Sequence, residues 1–119
     1  MRICVTSQGA DLSAPVDPRF GRARCFLLVD DDADGFEAMD NVQNLDAASG
    51  AGVQAATAVA GAGADWVLSG HIGPKAMAVL NAAGVRVALG AEGTVQDALD
   101  AFRAGQLRQT VEADSDPGW

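Results

Sequence analysis

The chain has 119 residues, 49% of them hydrophobic and 20% charged, a balance that suits one globular domain over residues 1–119 and excludes a disordered chain. Asp and Glu number 16 against 8 Lys and Arg, giving a net charge of −8, a field that repels nucleic-acid phosphates and anionic lipid headgroups. The longest uncharged stretch, Ala47 to Ala64, is 18 residues of mostly Ala and Gly, too weakly apolar for a bilayer span.

The apolar run after Arg2 breaks at Thr6, Ser7 and Gln8, without the apolar region of a secretory signal, so a soluble cytoplasmic protein is expected. Arg2–Thr6 is the first predicted strand. Arg24–Val29 is the second, and Phe36–Val42, alternating Phe36, Ala38, Asp40 and Val42 on one face, is the third. Between them, Asp30 to Gly35 reads as a solvated hairpin turn; its spacing and missing terminal Glu do not fit a calcium loop. Cys4 and Cys25 form no CxxC pair and lie inside apolar runs, so they are expected as buried thiols; as soft sulfur donors they remain candidate copper ligands.

The second half alternates helix and strand. Ser49 suits the cap of a helix over Gly50–Ala60, with Val53, Ala56, Thr57 and Ala60 at the i, i+3, i+4, i+7 spacing of a buried face. A strand follows at Asp65–Ser69. Pro74 then opens a helix carrying Met77, Leu80 and Ala83 that stops at Gly84. Val85–Leu89 is another strand, and Thr94 with Asp97 forms a capping-box pattern ahead of a stripe of Val95, Ala98, Leu99 and Phe102 that ends at Gly105. Gln106 to Trp119 reads as a polar C-terminal extension. This order predicts an α/β three-layer sandwich on a mixed, five-stranded sheet, with strands two and three as a hairpin and the later strands joined by parallel crossovers.

Such sheets bind ligands beyond the carboxyl ends of their parallel strands. Four loops should gather there: Ser7–Arg22, Gln43–Gly52, Gly70–Pro74 and Gly90–Thr94. Three of them lead into helix N-termini, whose N–H groups favour an anion. Three of the eight basic residues, Arg19, Arg22 and Arg24, cluster just after Asp17-Pro18, with Arg22 and Arg24 on one side if they lie on a strand; the plain alternative is surface pairing with Asp17 or the Asp30–Asp34 run. Lys75, the only lysine, starts the second helix beside His71.

Catalytic machinery is not evident. Gly50-Ala51-Gly52-Val53-Gln54-Ala55 fits the G-x-G-x-x-G/A dinucleotide pattern, yet a loop separates it from the preceding strand and no acid ends the following one. There is no G-x-S-x-G elbow, no Walker lysine and no second His. Scattered carboxylates leave a metal-dependent nuclease as a remote alternative.

The start Met1-Arg2-Ile3-Cys4-Val5-Thr6, the loop Val16-Asp17-Pro18-Arg19-Phe20-Gly21-Arg22-Ala23, Asn44, Gly50-Ala51-Gly52, and Ser69-Gly70-His71-Ile72-Gly73-Pro74-Lys75-Ala76 together resemble the nitrogenase iron–molybdenum cofactor biosynthesis accessory family, over nearly the whole chain. The resemblance implies a ribonuclease-H-like sheet of order 3-2-1-4-5 with strand two antiparallel, and binding of a preformed anionic metal–sulfur cluster. Short single-domain members imply a molybdenum–copper sulfide cluster held without a covalent bond; nitrogenase carriers imply the iron–molybdenum cofactor or a precursor. Many such carriers have His before Phe-Gly where this chain has Arg19, which supplies charge and donors but no metal ligand. The expected binding set is Arg19, Phe20, Gly21, Arg22, Asn44, Gly70, His71, Ile72, Gly73 and Lys75: cations, amides and an apolar wall, with His71 as hydrogen-bond donor or copper ligand. No enzymatic activity is expected. The competing reading is a protein adaptor, working with partition-type ATPases in cell division, suggested only by the acidic surface and Trp119.

Overall fold

Strand β1 (Arg2–Ser7) runs through the middle of the sheet, and only its first residue is not fully buried. A strand covered on both faces reads as a continuous apolar run, which is why Ile3-Cys4-Val5 shows no alternation. The computed structural model describes residues 1–31, 35–41 and 50–114. The other elements in chain order are β2 (Cys25–Asp30), β3 (Phe36–Asp40), α1 (Ala51–Gly61), β4 (Trp66–Leu68), α2 (Pro74–Ala82), β5 (Arg86–Leu89), α3 (Val95–Arg103) and β6 (Arg108–Thr110). The spatial order is β3-β2-β1-β4-β5-β6. β1, β4 and β5 are parallel, while β2 is antiparallel to both β1 and β3.

The predicted order 3-2-1-4-5 is therefore present, but the sheet has six strands rather than five. Arg108-Gln109-Thr110, expected within a polar extension, pairs antiparallel with β5, Val87 opposite Thr110 and Leu89 opposite Arg108. As a short polar edge strand it buries little, so it carries no hydrophobic period. Arg22 and Arg24 do not lie on a strand, since β2 begins at Cys25.

Two apolar cores sandwich the sheet. On one side, α1 and α2 cover Cys4, Phe26, Leu28, Val67, Val87 and Leu89; on the other, α3 covers Ile3, Val5, Leu27, Val29, Leu68 and Ala88. Consecutive strand residues thus go to opposite cores, as the two-residue pleat requires. Trp66 joins the α3 side, its ring 4.9 Å from that of Phe102, with the Arg86 guanidinium 5.7 Å over its face.

Helix α1 buries Ala51, Ala55, Ala56 and Val59 instead of the expected Val53, Ala56, Thr57 and Ala60. The buried face is turned by about 100°, one residue's worth. With Ala or Gly at seven of its eleven positions, hydrophobicity marks no unique face, and the small-residue side allows close packing on α2. The N-cap is Gly50, in the left-handed region at φ 79°; Ser49 lies outside the described residues, as does Val42.

The capping box of α3 forms as expected: the Asp97 N–H donates to Thr94 Oγ1 and the Thr94 N–H to Asp97 Oδ2, both at 3.0 Å. These bonds hold the Asp97 carboxyl below the usual carboxylate range. Hydrogen bonding and charge from Arg2 lower Asp30 likewise, across contacts of 2.9 and 3.2 Å.

Both shifts are depressions, so the stability they supply is fully present above the unfolded-state value of 3.8 and lost as pH falls through the folded-state values. Urea unfolding should show a lower midpoint at pH 3 than at pH 6. At neutral pH, Thr94→Ala should cost about 1 kcal/mol through loss of the cap.

Candidate anion-binding site

The carboxyl ends of β1, β4 and β5 open onto three described loops, residues 8–24, 69–73 and 90–94. A backbone clasp joins the first two: the His71 N–H donates to Pro18 O at 2.7 Å and the Phe20 N–H to His71 O at 3.1 Å, so that Arg19 and His71 pair as in a parallel bridge. Gly70 makes the approach achievable, because a Cβ there would lie 2.8 Å from Pro18 O and 2.9 Å from Pro18 Cα.

Beneath the clasp lies a buried polar network that the sequence reading missed. Thr6 Oγ1 donates within 2.7 Å of Asp17 O and lies 3.1 Å from Ser69 Oγ, and both hydroxyl residues are fully buried. Asp17 N–H donates to Thr6 O at 3.0 Å, and the Asp17 carboxylate accepts the Arg19 N–H at 3.1 Å. Asp17 thus meets Arg19 through the Arg19 backbone. Thr6, next to last in β1, and Ser69, just after β4, are hydroxyls closing otherwise apolar runs, which is the signal that could have revealed them.

Arg19, Arg22, His71 and Lys75 therefore sit at one edge of the sheet. Arg19 lies in the clasp, Arg22 in the turn that follows before β2, and Lys75 in the first turn of α2. Among the described residues, Arg19 and Lys75 are exposed and make no side-chain hydrogen bond or ion pair. Arginines elsewhere are engaged: Arg2 with Asp30, Arg103 with Asp31, Arg108 with Asp114, and Arg86 with the Trp66 ring. Of the acidic turn, Asp30 is served by Arg2 and Asp31 by Arg103.

Other expected residues take different places. Phe20 and Ile72 are fully buried, Phe20 packing on Phe26 with ring centres 5.4 Å apart, so they anchor the loops from beneath and form no open apolar wall. Gly21, Gly70 and Gly73 are also buried, leaving backbone rather than side chain at those turns. Asn44 and residues 43–49 of the second expected loop lie outside the described residues.

The N-terminus of α3 is closed to an anion. Its first N–H groups, from Val95 and Gln96, donate to Ala14 O and Leu12 O, both at 2.9 Å, and the next is held by Thr94. At α2, Pro74 brings no N–H, and the Ile72 N–H donates to Asp114 Oδ1 at 2.9 Å; Asp114 Oδ2 lies 3.0 Å from His71 Nδ1. Asp114 was not foreseen.

Cys4 and Cys25 are unbridged and buried. Desolvation raises both thiols, Cys4 strongly, disfavouring the thiolate a metal requires. They belong to opposite cores, so they cannot form one site.

Fold, clasp and cationic edge converge with sequence similarity: residues 1–105 match the family described as dinitrogenase iron-molybdenum cofactor, and the chain belongs to it. Among solved structures, the apo form of the orange protein from Desulfovibrio gigas is 41% identical, with 96% of each chain covered and a TM-score of 0.92. A putative NifB protein from Thermotoga is 32% identical over 96% of this chain and 97% of that one, with a TM-score of 0.84. A putative dinitrogenase from Methanocaldococcus jannaschii shares the fold at 11% identity, covering 94% and 96% with a TM-score of 0.67. A search of curated proteins returned no match. Among the described residues, no helix is long and apolar enough to cross a membrane.

Gly70→Ala should force the clasp apart and lower stability by about 1–3 kcal/mol, the cost of overpacking a tight site. Urea denaturation checks this; an unchanged midpoint would show that the two loops separate without cost.

Proposed function

We propose that the chain binds and carries an anionic, molybdenum-containing metal–sulfur cluster at the mouth formed by the 17–24 and 69–75 segments. The supporting observation is the clasp that sets the Arg19–Arg22 turn beside His71 and Lys75 in a chain of net charge −8. The opposite sign predominates elsewhere, so concentrating positive groups here favours a multiply charged anion over a cation.

The cluster is cargo that arrives with its own sulfide ligands. Among the described residues, no three His, Cys, Asp or Glu side chains converge to hold a metal ion. Arg19 and Arg22 supply planar donors, Lys75 a point charge, and the first backbone donors of α2 supply N–H groups at the positive end of its dipole. His71, half exposed, serves as hydrogen-bond donor or as a copper ligand. Recognition by charge and sulfur acceptors suits a molybdenum–copper sulfide, with the iron–molybdenum cofactor or its precursor as the alternative cargo. The protein holds and delivers without turnover.

Anaerobic reconstitution with tetrathiomolybdate and Cu(I) should yield a visible charge-transfer absorption that stays with the protein through desalting. Arg19→Ala with Arg22→Ala should lower uptake at least tenfold, and added salt should weaken binding. Cys25→Ser should leave uptake intact. Wild-type uptake in the double variant, or abolished uptake in a folded Cys25→Ser protein, would reject non-covalent capture by the arginines.

A further inference from the structure

The C-terminal segment leaves the mouth and comes back to it. β6 starts at Arg108, opposite Leu89 at the mouth edge, and ends at Thr110, opposite Val87. The chain then turns, with the Glu112 N–H donating to Thr110 Oγ1 at 3.0 Å, and Asn81 near the end of α2 donates from Nδ2 to Val111 O at 2.9 Å. Ala113 packs on the core. Asp114 arrives at the opposite, N-terminal end of α2, so residues 111–114 strap the length of that helix.

At that end the carboxylate does what an anionic guest would do. Asp114 Oδ1 accepts the Ile72 N–H at 2.9 Å, and Oδ2 lies 3.0 Å from His71 Nδ1 and 3.4 Å from Arg108 Nη2. An ionised carboxylate only accepts, so the Nδ1 facing it carries the proton. The Asp114 N–H returns a bond to Ile72 O at 3.2 Å, and the side chain is 20% exposed. Asp114 lies beyond residues 1–105 that match the family, so the strap is separate from the matched part of the chain.

We propose that Asp114 is the resident anion of the mouth: it sets the affinity of the site by occupying donors that cargo must take over, and loading releases the strap. Two negative groups cannot share the Ile72 N–H and the His71 Nδ1 proton, and like charges at that range repel. Binding at the mouth and retention of the strap are then mutually exclusive, which couples loading to the position of the C-terminal segment.

This inference rests on the anion-carrier reading, and a titration with tetrathiomolybdate alone separates the two. Asp114→Asn removes the charge and keeps an acceptor for the Ile72 N–H; Asp114→Ala removes both. Each should bind about tenfold more tightly than wild type, a gain of about 1.4 kcal/mol. Saturating wild-type protein should also speed amide hydrogen exchange at residues 111–114 and Ile72. Binding by wild type with no gain, or a loss, in Asp114→Asn, or exchange in the strap that slows on loading, would overturn the displacement and leave the carrier reading standing. Failure of both wild type and Asp114→Asn to bind would overturn both. Should Asp114→Ala fail to fold by circular dichroism, Asp114→Asn and the exchange measurement decide the matter.

Discussion

Two backbone hydrogen bonds, His71 to Pro18 and Phe20 to His71, hold together the loops at the carboxyl edge of the parallel strands. They join loops that follow different strands, and they exist because residue 70 has no side chain to keep the Pro18 backbone away. Without them Arg19 and His71 would sit on independently moving segments. With them, charge from one loop and imidazole from the other face a common space. Buried Phe20 and Ile72 fix each loop to the core below, and the Thr6–Ser69–Asp17 contacts satisfy the polar groups that this closeness takes out of water.

Electrostatics then acts on a rigid frame. A strongly negative chain would expel an anionic guest unless its few cations were gathered, and the ion pairs show how the rest are spent. Arg2 and Arg103 are held by Asp30 and Asp31, and Arg86 lies against Trp66, whereas Arg19 and Lys75 face solvent at the mouth. At this edge the N-terminus of α3 is consumed by the 8–24 loop, and just ahead of α2 the Ile72 N–H is taken by Asp114. Under the proposed function, an external acceptor at this edge would compete with intrachain acceptors for a small number of donors.

Much of this could be read from the residues alone. The parallel crossovers, the hairpin, the Thr94–Asp97 box and the gathering of loops after β1, β4 and β5 all follow from local patterns of apolar spacing, caps and glycines. What escaped had no local pattern. Arg108-Gln109-Thr110 pairs with β5 through backbone alone, and Asp114 meets His71 across 43 residues of sequence. The face of α1 was misread because Ala on every side gives no contrast. Phe20 and Ile72 were misplaced because an apolar side chain in a loop reads equally as wall or anchor until the core beneath it is known.

The two cysteines point to a different property. Cys4 and Cys25 sit on adjacent strands yet project to opposite sides of the sheet, each desolvated and held as a thiol. Burial thus keeps the protein's own sulfur away from solvent and disfavours the thiolate, the form in which a cysteine attacks an electrophile or takes a metal.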